Sequence, residues 1–212
     1  MKKVILINML LLLAFSVRGQ IEWGVRAGGS YSSLVQKVGS SNESGSRMGF
    51  SVAGVADFPL HSIYKRLSIR TEVALVNQGG SWLSGSDMGG MAFYNRCWYN
   101  SLHIPVNLAY TFPFYDFRVS LYVGPSLDFS LFGRMTSREE HNSLHFGHTE
   151  EKDLKTFDLG VNAGFAVAYR RYFLSVNANC GTRDRRAVLR EGESPVYQNN
   201  VTFSVGYYFR RR

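Results

Sequence analysis

Three histidines fall within "EEHNSLHFGHTEE": His141, His145 and His148, beside Glu139, Glu140, Glu150 and Glu151. Imidazole and carboxylate side chains are zinc or copper ligands, and spacings of three and four residues can converge on one ion. The stretch has no paired cysteines and no His-Glu-x-x-His frame, so it reads as a solvated polar loop and no metal site is expected. A second group, Ser101, His103 and Asp128, has the residue types of a nucleophile, its base and an orienting acid. No nucleophile motif surrounds Ser101 or His103, so no catalytic residue is assigned and the chain is not read as an enzyme. A third stretch, "TRDRRAVLREGESPVYQ", is basic at its start and has the charge to meet anionic sugars or phosphates, although such runs are usually solvated loop. Nothing calls for a cofactor, and the dispersed basic residues argue against nucleic acid.

The elements that must carry these groups have a period of two. About eight segments alternate apolar and polar residues over the 9 to 11 positions of a tilted strand. One face carries, for example, Trp23, Val25, Ala27, Gly29 and Tyr31, or Val119, Leu121, Val123, Pro125, Leu127, Phe129 and Leu131. The other face of the same segments is mostly Gly, Ser, Ala and Asn with scattered charge. Short links around "PLHSIYKR", "TFPFYD" and "RR" alternate with long polar stretches at 32–46, 78–98, 133–153 and 182–198. The pattern predicts an all-β fold: an antiparallel up-and-down transmembrane β-barrel of about eight strands, with short periplasmic turns and long extracellular loops.

The N-terminus, "MKKVILINMLLLLAFSVRGQ", has a basic start, a short apolar run and small residues at Val17 and Gly19. This predicts a signal peptide over residues 1–19 and a barrel domain over 20–212. Losing Lys2, Lys3 and Arg18, with no acid, lowers the formal charge from +8 to +5. Two cysteines, Cys97 and Cys180, are too few for a disulfide scaffold, and the alternation puts them on opposite kinds of face.

A barrel can turn its apolar face inward, as a soluble lipocalin-like carrier does, or outward to lipid. A solvated outer wall calls for Lys and Glu, whereas a narrow lumen calls for small residues, and the second face here is small. The inward set is then Glu22, Arg26, Arg70, Glu72, His103, Tyr122, Asp128 and Asp158, with both signs of charge. Unpaired charge in so narrow a space is costly, so a mutually satisfied plug is expected. Trp23, Tyr31, Tyr110, Tyr169, Tyr172, Tyr207 and Phe209 lie toward strand ends, where amphipathic rings form girdles at membrane boundaries. The closing "VTFSVGYYFRRR" is expected to pair with "IEWGVRAGG" and so remove both open edges.

The segments "WGVRAGGSYSSL", "LHIPVNLAYTF", "YVGPSLDFSLFG", "FDLGVNAGFAVAY" and "VTFSVGYYF" resemble the hairpin strands of porin-family, PorT-like outer-membrane β-barrel proteins of Gram-negative bacteria. The resemblance covers essentially the whole chain after the leader. It implies a place in the outer membrane, contact with its lipid, insertion by the barrel assembly machinery and, for PorT-like members, a link to secretion or envelope proteins. Arg210, Arg211 and Arg212 after Phe209 depart from the usual terminal aromatic. The expected role is a non-enzymatic barrel presenting extracellular loops for envelope structure, surface interaction or secretion. A narrow solute channel and a soluble periplasmic carrier are the alternatives.

Overall fold

The computed structural model describes residues 21–38, 41–60, 66–86, 92–137, 140–147, 149, 152–188 and 194–210. The predicted leader, and with it the 1–19 boundary, lies outside those residues. The described residues form nine strands: β1 Glu22–Val38, β2 Ser41–Pro59, β3 Leu67–Ser86, β4 Ala92–Phe114, β5 Phe117–Ser137, β6 Glu140–Ser143, β7 Phe157–Tyr169, β8 Tyr172–Gly181 and β9 Val196–Arg210. Each pairs antiparallel with its neighbour, and β9 returns to β1, with Val205 opposite Ala27. β6 is a short arm folded back on the upper end of β5, so eight strands close the wall.

Alternation places the side chains as the pattern demands. Val52, Val73, Leu108, Leu121, Leu174 and Val205 are exposed on the outer surface, while Ser51, Glu72, Asn107, Tyr122, Ser175 and Ser204 are buried inside. An apolar exterior around a polar lumen is the inverse of a lipocalin-like carrier, and that alternative falls.

The structure corrects the loops. Stretches 32–46 and 78–98 are largely strand: β1 and β2 stay paired up to Val38 opposite Ser41, and β3 and β4 up to Ser86 opposite Ala92. Alternation records a boundary between lipid and protein interior. Beyond that boundary both faces are wet, so the sequence turns polar while the backbone ladder continues. The strands of the β1–β5 side therefore run 17 to 23 residues, against 10 to 15 for β7 to β9. The basic end also differs from expectation, because Arg210 still pairs with Trp23 past a register shift; Arg211 and Arg212 lie outside the described residues.

Two of the short links are tight turns, Tyr115–Asp116 and Arg170–Arg171, whose first residues adopt left-handed φ of 50° and 51°. Inside the wall, Gly164 and Gly206 make room for rings. A Cβ at Gly164 would lie 2.7 Å from the Tyr122 ring, and one at Gly206 would overlap the Phe173 ring.

Candidate functional site

Parity aims charged side chains from several strands into one narrow space, where they must find each other. Arg26 of β1 donates to Glu72 of β3 through Nε at 2.8 Å and to Ser204 through Nη1 at 2.8 Å. Arg70 holds the second Glu72 oxygen through Nε at 3.1 Å, and its Nη1 reaches Tyr208 at 2.9 Å and Asp57 at 3.2 Å. Its guanidinium lies over the rings of Tyr122 at 4.9 Å and Phe173 at 5.5 Å. Arg26, Arg70 and Glu72 are each no more than 2% exposed. Glu72 thus bridges two arginines across the middle of the barrel.

Below this layer, Arg118 forms a two-pronged pair with Glu22 at 2.8 and 2.7 Å. The pair borders a mouth cavity of about 230 Å³ at the short-turn end, lined also by Asp57, Arg66, Thr111 and Tyr208. Above it the rungs are mostly neutral. His103 Nδ1 meets both Asp128 oxygens at 3.0 and 3.1 Å, Ser126 donates to Asn179 at 2.6 Å, and Gln78 donates to Ser101 at 2.8 Å. Tyr122 donates to Asn177 at 2.7 Å. Asn162 Oδ1, Asn177 Nδ2, Asn200 Oδ1 and Thr202 Oγ1 have no hydrogen-bond partner. Their residues surround a space of about 10 Å³ with Arg26, Gln78 and His103. That is room for about one water, which needs two to four polar partners, and no room for a solute.

The upper end is closed by apolar packing. Leu144 and Leu154, from the segment between β6 and β7, pack with Leu34, Trp82, Cys97, Tyr99 and Val196 of the wall. Bridges from Phe146 to Leu154 and from Leu154 to Arg186 tie the third connection to the fourth. Arg185 is 1% exposed; it donates to Ser130 at 2.6 Å, approaches Asp158 at 4.0 Å and lies over the Tyr99 ring at 5.5 Å. Burial acts to lower its pKa, but Tyr99, Asp158 and Asp128 outweigh burial and hold it above the ordinary value. The guanidinium therefore stays charged inside the plug.

Of the inward set, Glu22, Arg26, Arg70, Glu72, His103, Tyr122, Asp128 and Asp158 are each buried at 9% exposure or less. They do not form one cluster. Arg26, Arg70 and Glu72 are central, His103 and Asp128 pair above them, Glu22 takes Arg118, and Asp158 takes Arg185. Sequence reasoning misses Arg118 because it precedes the apolar alternation, although it shares parity with Ser120 and Tyr122. Arg185 gives no periodic signal.

Two loop readings change. The third connection is not simply solvated, since Leu144 and Leu154 are core residues, while His145 remains exposed. His148, Glu139, Glu150 and Glu151 lie outside the described residues, as does the side chain of His141. The basic start of the fourth connection is only partly outward, because Arg185 and Arg186 are buried while Arg183 is exposed. Both cysteines are free, Cys97 within the plug and Cys180 on the outer wall.

Of the aromatic set, Trp23 contacts Phe209 at 4.6 Å, and Tyr207 contacts Tyr172 at 5.2 Å. Tyr169 contacts Phe117 at 4.9 Å and Tyr110 contacts Phe112 at 4.7 Å, all toward the short-turn end. Tyr31 stands at the opposite end, its hydroxyl on Ser46 at 2.7 Å.

A family model described as outer membrane protein beta-barrel domain matches residues 14–181. No curated protein matches the chain. Among solved structures, a major outer membrane protein from Thermus thermophilus is 14% identical with a TM-score of 0.52, covering 90% of this chain and 100% of that one. Neisserial surface protein A is 14% identical with a TM-score of 0.49, and Ail, the attachment invasion locus protein of Yersinia pestis, is 9% identical with 0.46; each covers 90% of this chain and 100% of its own. Identities this low speak to fold alone.

Proposed function

Since the chain belongs to the outer membrane protein beta-barrel domain family and so resides in the outer membrane, we propose that it works there as a sealed, non-enzymatic wall presenting its tall extracellular hairpins to the cell surface. The observation that carries this reading is the filled lumen. The Arg26–Glu72–Arg70 layer, the single-water space above it and the Leu144–Leu154 plug block the axis at three heights. An eight-stranded barrel is just wide enough for its inward side chains to fill it, which is the condition met here.

Catalysis by Ser101, His103 and Asp128 is disfavoured by the same packing. His103 and Asp128 are engaged with each other, Ser101 accepts from Gln78, and the space beside them admits no acyl chain. A narrow channel has the 230 Å³ mouth in its favour, but that mouth ends against Tyr208, whose hydroxyl is held from behind by Arg70. Planar-bilayer recordings of the purified barrel test the reading: a silent bilayer is expected, and steady open-channel steps would overturn it. A secretion or envelope role, which the PorT-like resemblance implies, is tested by crosslinking in intact cells, where a stable neighbour from either machinery is the expected product.

A further inference from the structure

On the outer wall the chemistry changes at one height. Up β4, the outward face passes through Tyr110, Leu108, Val106, Ile104 and Leu102 to Trp98 and then Arg96. Up β5 it passes Phe129, Leu131 and Phe132 to Arg134. Each residue adds roughly 3.3 Å along a strand tilted near 40°, so the step from Tyr110 to Trp98 rises about 30 Å. That is the thickness of a hydrocarbon core. Trp98 therefore stands at the outer interface, and the arginines stand just above it.

Three guanidinium groups gather round this tryptophan. Arg134 is its cross-strand partner on β5, and Arg96 follows on the same face of β4; both are exposed. Arg47 reaches across from β2 and puts its Cζ 6.0 Å from the Trp98 ring centroid. It can do so because β2 leaves the β3 ladder between Gly45 and Ser51, and β3 sets Gly79, with no side chain, opposite Trp98. Behind this gap Ser32 donates to the Gly79 carbonyl at 3.1 Å and accepts from its amide at 3.0 Å. Arg47 Nη1 is shielded from solvent and has no hydrogen-bond partner. Among the described side chains, which do not include those of Glu43 and Glu140, no carboxylate pairs with any of the three arginines.

We propose that Arg47, Arg96 and Arg134, arranged around Trp98, bind a phosphate of a phosphorylated glycolipid in the outer leaflet and so fix one lipid to the wall. Guanidinium forks match phosphate oxygens in a two-pronged geometry, and the indole covers the boundary where sugar gives way to acyl chain. Arg96, Trp98 and Arg134 are exposed on the outer side of β4 and β5, and the half-buried Arg47 meets them at the Trp98 ring rather than in the lumen, so the patch holds whether or not the barrel conducts.

The test uses the full chain in detergent micelles, titrated with a bisphosphorylated glucosamine acyl lipid and its dephosphorylated counterpart, with bound lipid read by native mass spectrometry. The dephosphorylated lipid and the Arg47→Gln/Arg96→Gln/Arg134→Gln variant should each bind at least about tenfold more weakly, the loss expected when charge-assisted contacts are removed. Arg171→Gln, at the opposite end, should bind as the unaltered protein does. Equal retention by the triple variant overturns the proposal, as does equal binding of the dephosphorylated lipid or full displacement by millimolar inorganic phosphate. Heat-modifiable migration checks folding. Were the triple variant not to fold, Arg96→Gln and Arg134→Gln carry the test singly, and unchanged affinity in both overturns it.

Discussion

Depth decides what each buried charge is worth. Glu72 holds two arginines at 1% exposure, so Glu72→Ala strands both in a dry layer and should cost about 3–5 kcal/mol. The readout is the urea midpoint for loss of the compact, heat-modifiable form. Arg118→Ala removes a pair at the open mouth, with Arg118 at 23% side-chain exposure, and should cost only about 1 kcal/mol in the same assay. If the two variants fall equally far, the central layer has no special standing. The inward parity of Arg26, Arg70, Glu72 and Asp158 was legible in the sequence because each sits inside an alternating window. Their partners were not: Arg118 lies before its window opens, and Arg185 comes from irregular chain that folds back into the barrel mouth. The two free cysteines offer a residue-scale check on inside and outside. In liposomes an apolar maleimide should label Cys180 on the wall, while Cys97 in the plug should react only after unfolding.

Elements succeed here through alternation and end through turn geometry. The two-residue turn between β7 and β8 forces Arg170 to a φ of 51°, which costs an L-residue roughly 1–2 kcal/mol over glycine. Arg170→Gly should therefore stabilise the barrel, by about 0.5–1 kcal/mol once the added freedom of the unfolded chain is counted. An unchanged or lower unfolding midpoint would contradict this account of the hairpin. Gly206 makes the opposite case, because any side chain there meets the Phe173 ring across the β8–β9 pair. Gly206→Val should prevent compact folding, and adding Phe173→Ala should recover much of it. The upper halves of β1 to β4 escaped the sequence reading for a physical reason. Ser32 to Val38 and Gln78 to Ser86 pair by backbone, and backbone pairing leaves no hydrophobic period once lipid is left behind.

At the scale of the whole molecule, the upper closure and the central closure are independent. Leu144→Ser with Leu154→Ser should loosen the plug, seen as new labelling of Cys97 in the folded protein. It should still leave planar bilayers silent, because the Arg26–Glu72–Arg70 layer and its neighbours fill the axis below. Current through that variant would locate the barrier in the plug alone. The unequal strand lengths have a further consequence. With β3 to β5 at 20 to 23 residues and β8 at 10, one side of the rim rises roughly 20 Å or more above the other at a tilt near 40°. The molecule consequently has a front and a back within the membrane plane. A body sliding along the cell surface meets a β-sheet parapet from one direction and, from the other, a low sill with the plug just behind it.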